Sequence, residues 1–241
     1  MQKRLKTGCC LVLLYAVFTL ISSAVRVVPQ VSGLRLEAML SLPYGLIFGR
    51  LGAISAAFGS ALALFLVGAN LNQIPLEFLA ALISAYLPFR VWQGMKSPQE
   101  PRLALYDQRT VTMFVILGLL AVAPMAVYPA VGAEIYQVVP FSASFFKILL
   151  PTLLFTLAGG FLLYRKASAY FFAGKGEALW RRLEDKKTTT RNMAVAMLRI
   201  TLTGLFLAAG LALMVPPEFH SKVVEYTMGV FALLLLVMTG F

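Results

Sequence analysis

The chain has 241 residues, of which 60% are hydrophobic and only 13% are charged, and its mean hydropathy is +0.83. These values exclude an ordinary soluble domain of this length and predict an all-α integral membrane protein. The formal net charge is +11. In a membrane protein, such an excess of basic residues usually lies in the cytoplasmic loops, so we expect no nucleic-acid partner. With two cysteines and one histidine, the chain has few metal ligands, and we expect no metal and no cofactor.

The first predicted span follows a basic N-terminus. Lys3, Arg4 and Lys6 precede an apolar run from Gly8 to Val28. This run is longer than the apolar region of a signal peptide, and no small-residue cleavage site follows it. The sequence therefore predicts a first transmembrane helix that is retained.

Two short apolar segments occupy the centre of the predicted bundle. They run from Ala38 to Phe48 and from Leu51 to Leu66, with Arg50 at the turn between them. Small residues recur at steps of four along both segments, which lets helix backbones approach closely in a bilayer. The alternative is that both segments are glycine-rich helices that face lipid. The residues that we expect to pack the helices are Gly45, Gly49, Gly52, Gly59 and Ala63.

The rest of the sequence predicts five more spans. Pro124 and Pro129 are expected to bend or end the fifth span of the chain. The stretch from Lys96 to Arg109 is polar and contains proline, so it predicts a loop outside the membrane. The five spans run from Pro75 to Trp92, Thr110 to Val131, Val138 to Tyr164, Met193 to Val215 and Val223 to Phe241.

A basic segment with aromatic residues separates the sixth span from the seventh. Between Arg165 and Arg191, basic residues are mixed with Tyr170 and Trp180. This composition is typical of a helix on an anionic membrane surface, and equally of a cytoplasmic connector with buried aromatics. We therefore divide the chain into a six-helix bundle (1–166), a basic amphipathic cytoplasmic connector (167–192) and two additional transmembrane helices (193–241).

The distribution of positive charge predicts the orientation of the chain. With eight spans and a cytoplasmic N-terminus, every Lys and Arg falls on the inner side except Arg26, Arg35, Lys147 and Lys222. The positive-inside rule favours this arrangement, which leaves both termini in the cytoplasm. We expect a multi-pass protein of the cytoplasmic membrane of a bacterium.

Ionisable and amide side chains converge on the outer half of the predicted bundle. A charge at membrane depth is costly unless it is paired or hydrated, so such residues are candidates for function. A mixed set of charges and amides is typical of a pocket for a small polar or zwitterionic molecule. Alternatively, Arg35 and Glu37 are solvated interface anchors and Glu77 stabilises a helix N-terminus. The candidate substrate-binding residues are Arg35, Glu37, Tyr44, Asn70, Asn72, Gln73, Glu77 and Lys147.

The sequence contains no recognised catalytic or nucleotide-binding motif. It has no Walker loop, no Gly-x-Ser-x-Gly elbow and no His-Glu-x-x-His motif. We therefore expect no catalytic residues, and any ATPase that energises this protein must be a separate subunit.

Part of the chain resembles the substrate-binding S components of energy-coupling factor (ECF) vitamin transporters. The resemblance is carried by LSLPYGLIFGRLGAISAAFGSALA, where a proline precedes a glycine-framed turn and a small-residue helix, and by GANLNQIPLEFLAALISAYLPFRVW. It implies six helices, about Gly8 to Tyr164, with an outward-opening site for a vitamin or micronutrient. It also implies a transmembrane scaffold and two ATPases as partners. The substrate-contact regions of that family correspond here to Arg35, Glu37, Asn70, Asn72, Gln73 and Lys147.

Two departures from this family favour other functions. Ala16 is followed four residues later by Leu20, so the Ala-x-x-x-Ala pair that docks many members onto their scaffold is missing. The segment from Arg165 to Phe241 has no counterpart in a six-helix S component. The second hypothesis is therefore a membrane sensor or input domain of a signalling protein, with a catalytic part beyond Phe241. The third is a cell-envelope scaffold.

Overall fold

The computed structural model describes residues 2–24, 26–28, 32–33, 35–96, 103, 105, 107–173 and 189–239. This part of the chain is helical apart from one short antiparallel β ladder, β1 with β2. The elements in chain order are α1 (Gln2–Ala24), β1 (Arg26–Val28), β2 (Ser32–Gly33), α2 (Ala38–Leu66), α3 (Ile74–Met95), α4 (Gln108–Ile135), α5 (Phe141–Leu154), a π-helical turn π1 (Phe155–Gly159), α6 (Gly160–Ala173), α7 (Arg191–Met214) and α8 (Lys222–Thr239).

Among the described residues, six helical stretches are long and apolar enough to cross a membrane. The sequence predicts eight spans, and the two numbers differ for two reasons. The two short central segments lie within one element, α2, and α8 is not among the six. The six stretches are Leu5–Ala24, Ala38–Leu66, Ile74–Met95, Gln108–Ile135, Phe141–Tyr170 and Arg191–Met214.

Helix α2 reverses direction at Gly49, beside the predicted turn at Arg50. Gly49 has φ 57° and ψ −130°, a conformation that residues with a Cβ avoid. A Cβ on Gly52 would lie 2.1 Å from the carbonyl oxygen of Tyr44, so the second half of α2 returns directly against the first. We call the end of the bundle opposite the N-terminus of α1 the distal end. It holds the turns at 67–73, 136–140 and 215–221.

The first half of α2 forms the centre of the core. Residues 40–49 are all buried, whereas Arg50 is exposed. This half packs on α3 so closely that a Cβ on Gly45 would lie 1.7 Å from the carbonyl oxygen of Ala85. The second half packs on α1, where a Cβ on Gly59 would lie 2.7 Å from the carbonyl oxygen of Val12. Ala63 is buried in the same half.

Helix α4 begins at a capping box and continues through both of its prolines. The Asp107 carboxylate accepts a hydrogen bond from the Thr110 backbone N–H at 3.2 Å, and the Thr110 side chain reaches back to the cap residue. The hydrogen bond from the Thr110 side chain lowers the pKa of Asp107. Pro124 and Pro129 lie inside the helix, which ends only at Ile135.

Elements α5, π1 and α6 form one continuous helical stretch. The π-helical turn follows shortly after Pro151, which cannot donate the backbone hydrogen bond of a regular helix. Helix α6 continues to Ala173, past the predicted boundary of the bundle at residue 166. Residues 174–188 of the predicted cytoplasmic connector lie outside the described residues.

Helices α7 and α8 pack against the bundle at both of its ends. Near the N-terminus of α7, the Arg90 Nε atom donates to the Thr189 hydroxyl at 2.7 Å. Towards the distal end, the Tyr128 hydroxyl donates to the Ala232 carbonyl oxygen of α8 at 2.5 Å. Helix α7 contacts α3, α4 and α5, and α8 contacts α3, α4 and α7.

Large apolar side chains are exposed along the outward faces of the helices. Phe206 is 78% exposed and Leu154 is 63% exposed, although both lie in the middle of long apolar helices. In water such a surface would drive aggregation, whereas in a bilayer it contacts lipid tails. Further side chains of this kind are Leu13, Val17 and Ile21 of α1, Phe58 and Phe65 of α2, and Val230, Leu233 and Val237 of α8.

Candidate functional site

An arginine and a glutamate are paired inside the bundle near its distal end. The Arg35 guanidinium donates two hydrogen bonds to the Glu77 carboxylate, from Nη1 to Oε2 at 2.8 Å and from Nη2 to Oε1 at 2.5 Å. Arg35 is only 4% exposed and Glu77 is 8% exposed. This two-bond geometry is the strongest form of a guanidinium–carboxylate pair.

Local structure explains how both side chains reach this position. Arg35 lies in the tight turn that starts α2, and its carbonyl oxygen accepts from the Ala38 N–H at 3.2 Å. Glu77 lies in the first turn of α3, where the helix dipole favours a negative charge. Because α2 reverses at Gly49, its two ends lie at the distal end, and the short 67–73 turn then starts α3 beside them.

Glu37 completes the buried group, which we call the triad (Arg35, Glu37 and Glu77). Glu37 is 4% exposed, and its Oε1 atom lies 3.5 Å from Arg35 Nη1. Its Oε2 atom is buried and has no hydrogen-bond partner among the described residues. Burial raises the pKa of this carboxyl, and the effect outweighs the lowering by the Arg35 charge and by the Ser22 hydroxyl.

A stripe of polar groups leads from the triad along the first half of α2. Glu37, Ser41 and Tyr44 follow one another at helical spacing and face α1. The Ser41 and Tyr15 hydroxyls are hydrogen-bonded at 3.0 Å, and the Tyr44 hydroxyl donates to the Leu11 carbonyl oxygen at 3.0 Å. Tyr44 therefore lies about two helical turns from Glu37, and its hydroxyl points to the backbone of α1.

The amides predicted for the site lie in the turn at the distal end. Asn70 and Asn72 are exposed, and the Asn70 side chain accepts from the Asn72 N–H at 3.2 Å. Gln73 is half-buried, and its carbonyl oxygen accepts from the Glu77 N–H at 3.0 Å. These bonds shape the turn that positions Glu77.

Lys147 lies apart from the triad. It is exposed on α5, on the same face as Leu150, which is 62% exposed. In the described part of the chain, no ion pair joins Lys147 to the triad. The structure thus brings together Arg35, Glu37 and Glu77, and it places Lys147 on the outer surface of the bundle.

Glu134 is a buried carboxylate that the sequence analysis did not select. It is 3% exposed, and its two oxygens accept hydrogen bonds from the Phe141 N–H and the Ser221 N–H, both at 2.6 Å. His220 Nδ1 lies 3.3 Å from Glu134 Oε2. Glu134 thereby joins the start of α5 to the start of α8. The sequence could have indicated Glu134, because it is the one acidic residue in the long apolar sequence of α4.

The triad is a group of buried ionisable side chains. Among the residues that the structure describes, no three His, Cys, Asp or Glu side chains lie together as a metal site would require. The triad offers one cation and two carboxyls, and one of the buried carboxyl oxygens has no partner among the described residues. Such a group can hold a small charged solute or a proton.

Comparisons with known proteins give no match: no family model, no curated protein and no solved structure is similar to this chain.

Proposed function

We propose that this protein is the membrane-embedded binding subunit of an importer for a small charged or zwitterionic solute, in the class of vitamins and micronutrients. The solute binds at the triad, and a separate ATPase module, joined through a transmembrane scaffold, provides the energy. The protein resides in the cytoplasmic membrane of a bacterium with both termini inside, so that the distal end faces outward.

The observation that carries this proposal is the burial of three ionisable side chains near one end of an apolar bundle. Desolvating an ion is expensive, and replacing a buried ion pair with apolar residues is often neutral or stabilising. A bundle that needs only stability therefore has no use for the triad. Ionisable groups at membrane depth commonly bind a solute or an ion.

A sensor or input domain of a signalling protein is the second candidate function. It is favoured by the contacts of α7 and α8, which pack on α3 and α4 instead of lying apart from the bundle. Solute binding at the triad would then be transmitted through these helices to a cytoplasmic output. A cell-envelope scaffold, the third hypothesis, has no need for a buried triad.

The first experiment is a gentle extraction of the protein from its native membrane, followed by mass spectrometry of the proteins and small molecules that remain bound. The importer predicts a retained solute together with a transmembrane scaffold and an ATPase pair. The sensor predicts a retained solute with a cytoplasmic catalytic domain in the same chain. Failure to retain or bind any solute would overturn both.

Variants connect the retained solute to the triad. In Arg35→Gln/Glu77→Gln both partners of the pair are removed together, so that no unpaired charge of that pair stays buried. We expect the Kd of the identified solute to rise at least about 10-fold, because each lost hydrogen bond to a charged group costs about 1.5–3 kcal/mol. Lys222→Gln removes an exposed cation at the same end and should leave the Kd unchanged. Equal binding by all three proteins would place the solute elsewhere.

A further inference from the structure

We propose that Glu37 binds a proton in this conformation of the bundle, so that its carboxyl is neutral and the triad carries no net charge. The proposed function is needed only for the link between this proton and the binding of a solute. Proton binding itself follows from the geometry of the triad.

The two glutamates are unequal partners of one guanidinium. Glu77 receives both hydrogen bonds of the Arg35 fork, whereas the nearest Glu37 oxygen is 3.5 Å from Arg35 Nη1. The other Glu37 oxygen is buried and has no hydrogen-bond partner in the part of the chain that the structure describes. An ionised Glu37 carboxylate would have to share the Arg35 guanidinium with Glu77, and a low-dielectric interior disfavours the resulting excess of negative charge.

Among the described side chains, the structure places no second positive charge against Glu37. The groups that face it are Arg35 from its own turn, Glu77 from α3, and the Tyr15 and Ser22 hydroxyls from α1. Two ionised carboxylates against one guanidinium would give a net charge of −1. A proton on Glu37 removes that charge without requiring any space, and the burial that raises the pKa of this carboxyl acts in the same direction.

Protonation of this residue would make the proposed solute site sensitive to pH. The proton occupies an oxygen inside the same triad that is proposed to contact the solute. When the O–H bond of Glu37 breaks, the electron pair stays on the carboxylate and the proton leaves to water. The triad then carries one negative charge until a cationic group or another proton replaces it.

Infrared spectroscopy of the full chain in lipid nanodiscs tests the proposal without any solute. We expect a carbonyl band of a protonated carboxyl at pH 7 in the wild type, and its loss in Glu37→Gln. Glu218→Gln removes an exposed carboxyl and should keep the band. Identical spectra of the wild type and Glu37→Gln at pH 7 would overturn the proposal.

Two further variants keep the test decisive if Glu37→Gln folds poorly. In Glu77→Gln, Arg35 is released to pair with Glu37, so Glu37 should ionise and the band should disappear. In Arg35→Gln/Glu77→Gln, Glu37 is buried without a cation, so the band should persist. The opposite pattern would show that the band belongs to another carboxyl and would overturn the proposal.

The pH dependence of stability has a defined sign. Since the pKa of Glu37 is raised in the folded state, the folded protein retains a proton that the unfolded chain has already lost. The equilibrium constant for unfolding should therefore rise up to tenfold per pH unit, from the ordinary pKa of glutamate up to the folded pKa. Glu37→Gln should remove this component, and thermal unfolding between pH 4 and pH 8 measures it. A slope that is the same in both proteins would contradict proton binding at Glu37.

Discussion

At the scale of single residues, Glu134 shows how one carboxylate can hold two helix termini. Each helix begins with backbone N–H groups that lack an intrahelical acceptor. Glu134 accepts one of them at the start of α5, from Phe141, and another directly before α8, from Ser221. Its negative charge also lies where two helix dipoles are positive. This residue therefore ties three helices together at the distal end.

Glu134→Gln should destabilise the protein measurably. A glutamine has one side-chain oxygen, so one of the two buried N–H groups would lose its acceptor and face the amide NH₂ instead. We expect a loss of about 1–3 kcal/mol in the free energy of unfolding, measured by thermal unfolding in detergent.

The matched control for this prediction is Glu218→Gln, which changes an exposed glutamate in the neighbouring 215–221 turn. It should leave the midpoint of unfolding unchanged. If both variants unfolded at the wild-type temperature, the capping role of Glu134 would be wrong.

The residues of the triad could be predicted from sequence, but their pairing could not. Arg35, Glu37 and Glu77 all border predicted helices at the same end, so topology alone brings them near each other. Lys147 had the same signal, yet its position on α5 turns it to the surface. The difference is a rotation of the helix about its own axis, which an all-round apolar sequence does not specify.

At the scale of elements, the reversal in α2 depends on one backbone conformation. Gly49 adopts φ 57° and ψ −130°, where a Cβ would be strained. The tight return also needs Gly52, because any side chain there would meet the Tyr44 carbonyl oxygen. The fold of this helical hairpin therefore requires a glycine at both positions.

Gly49→Ala should destabilise the bundle, even though alanine is the better helix former. The expected loss is about 1–3 kcal/mol, the usual range for a residue forced into an unfavourable backbone region. Thermal unfolding in detergent measures it.

Gly210→Ala is the comparison, since a Cβ at that position has no atom within 4 Å and the residue lies inside α7. It should be neutral or stabilise by up to about 1 kcal/mol. A Gly49→Ala protein at least as stable as Gly210→Ala would show that the reversal does not need glycine.

Helix positions were easier to predict than helix ends. Apolar length indicated the spans, because only a continuous helix satisfies its backbone within lipid. Helix α4 does not end at Pro124 or Pro129, since a helix in a packed bundle can tolerate the missing N–H. The π-helical turn at Phe155–Gly159 was not predicted from the sequence.

At the scale of the whole molecule, the positive-inside rule predicts the orientation of the chain, and single cysteines can test this prediction. In a background of Cys9→Ser and Cys10→Ser, we expect Asn70→Cys to react with a membrane-impermeant maleimide in intact cells. Gln108→Cys, at the opposite end of the bundle, should react only after permeabilisation. Both positions are exposed.

The reverse labelling pattern would invert the proposed orientation. Labelling of both cysteines from the same side would contradict a membrane crossing by α3. Gel-shift of the labelled protein from intact and permeabilised cells distinguishes these outcomes.

The packing of the last two helices could not be predicted from sequence. Their apolar composition indicated spans, but lipid and protein neighbours are equally apolar, so composition does not tell which surface they contact. Small residues decide this locally: a Cβ on Gly94 would lie 2.6 Å from the Ala194 side chain, and one on Gly204 would lie 1.9 Å from the Phe231 ring. Only the assembled bundle shows that these glycines meet a neighbouring helix.

Helix α3 connects two sites at opposite ends of the bundle. Its first turn holds Glu77 against Arg35, and its last turns hold Arg90 and Gly94 against the start of α7. A displacement of Thr189 and the start of α7 would therefore act on the end of α3 that lies opposite the Arg35–Glu77 pair.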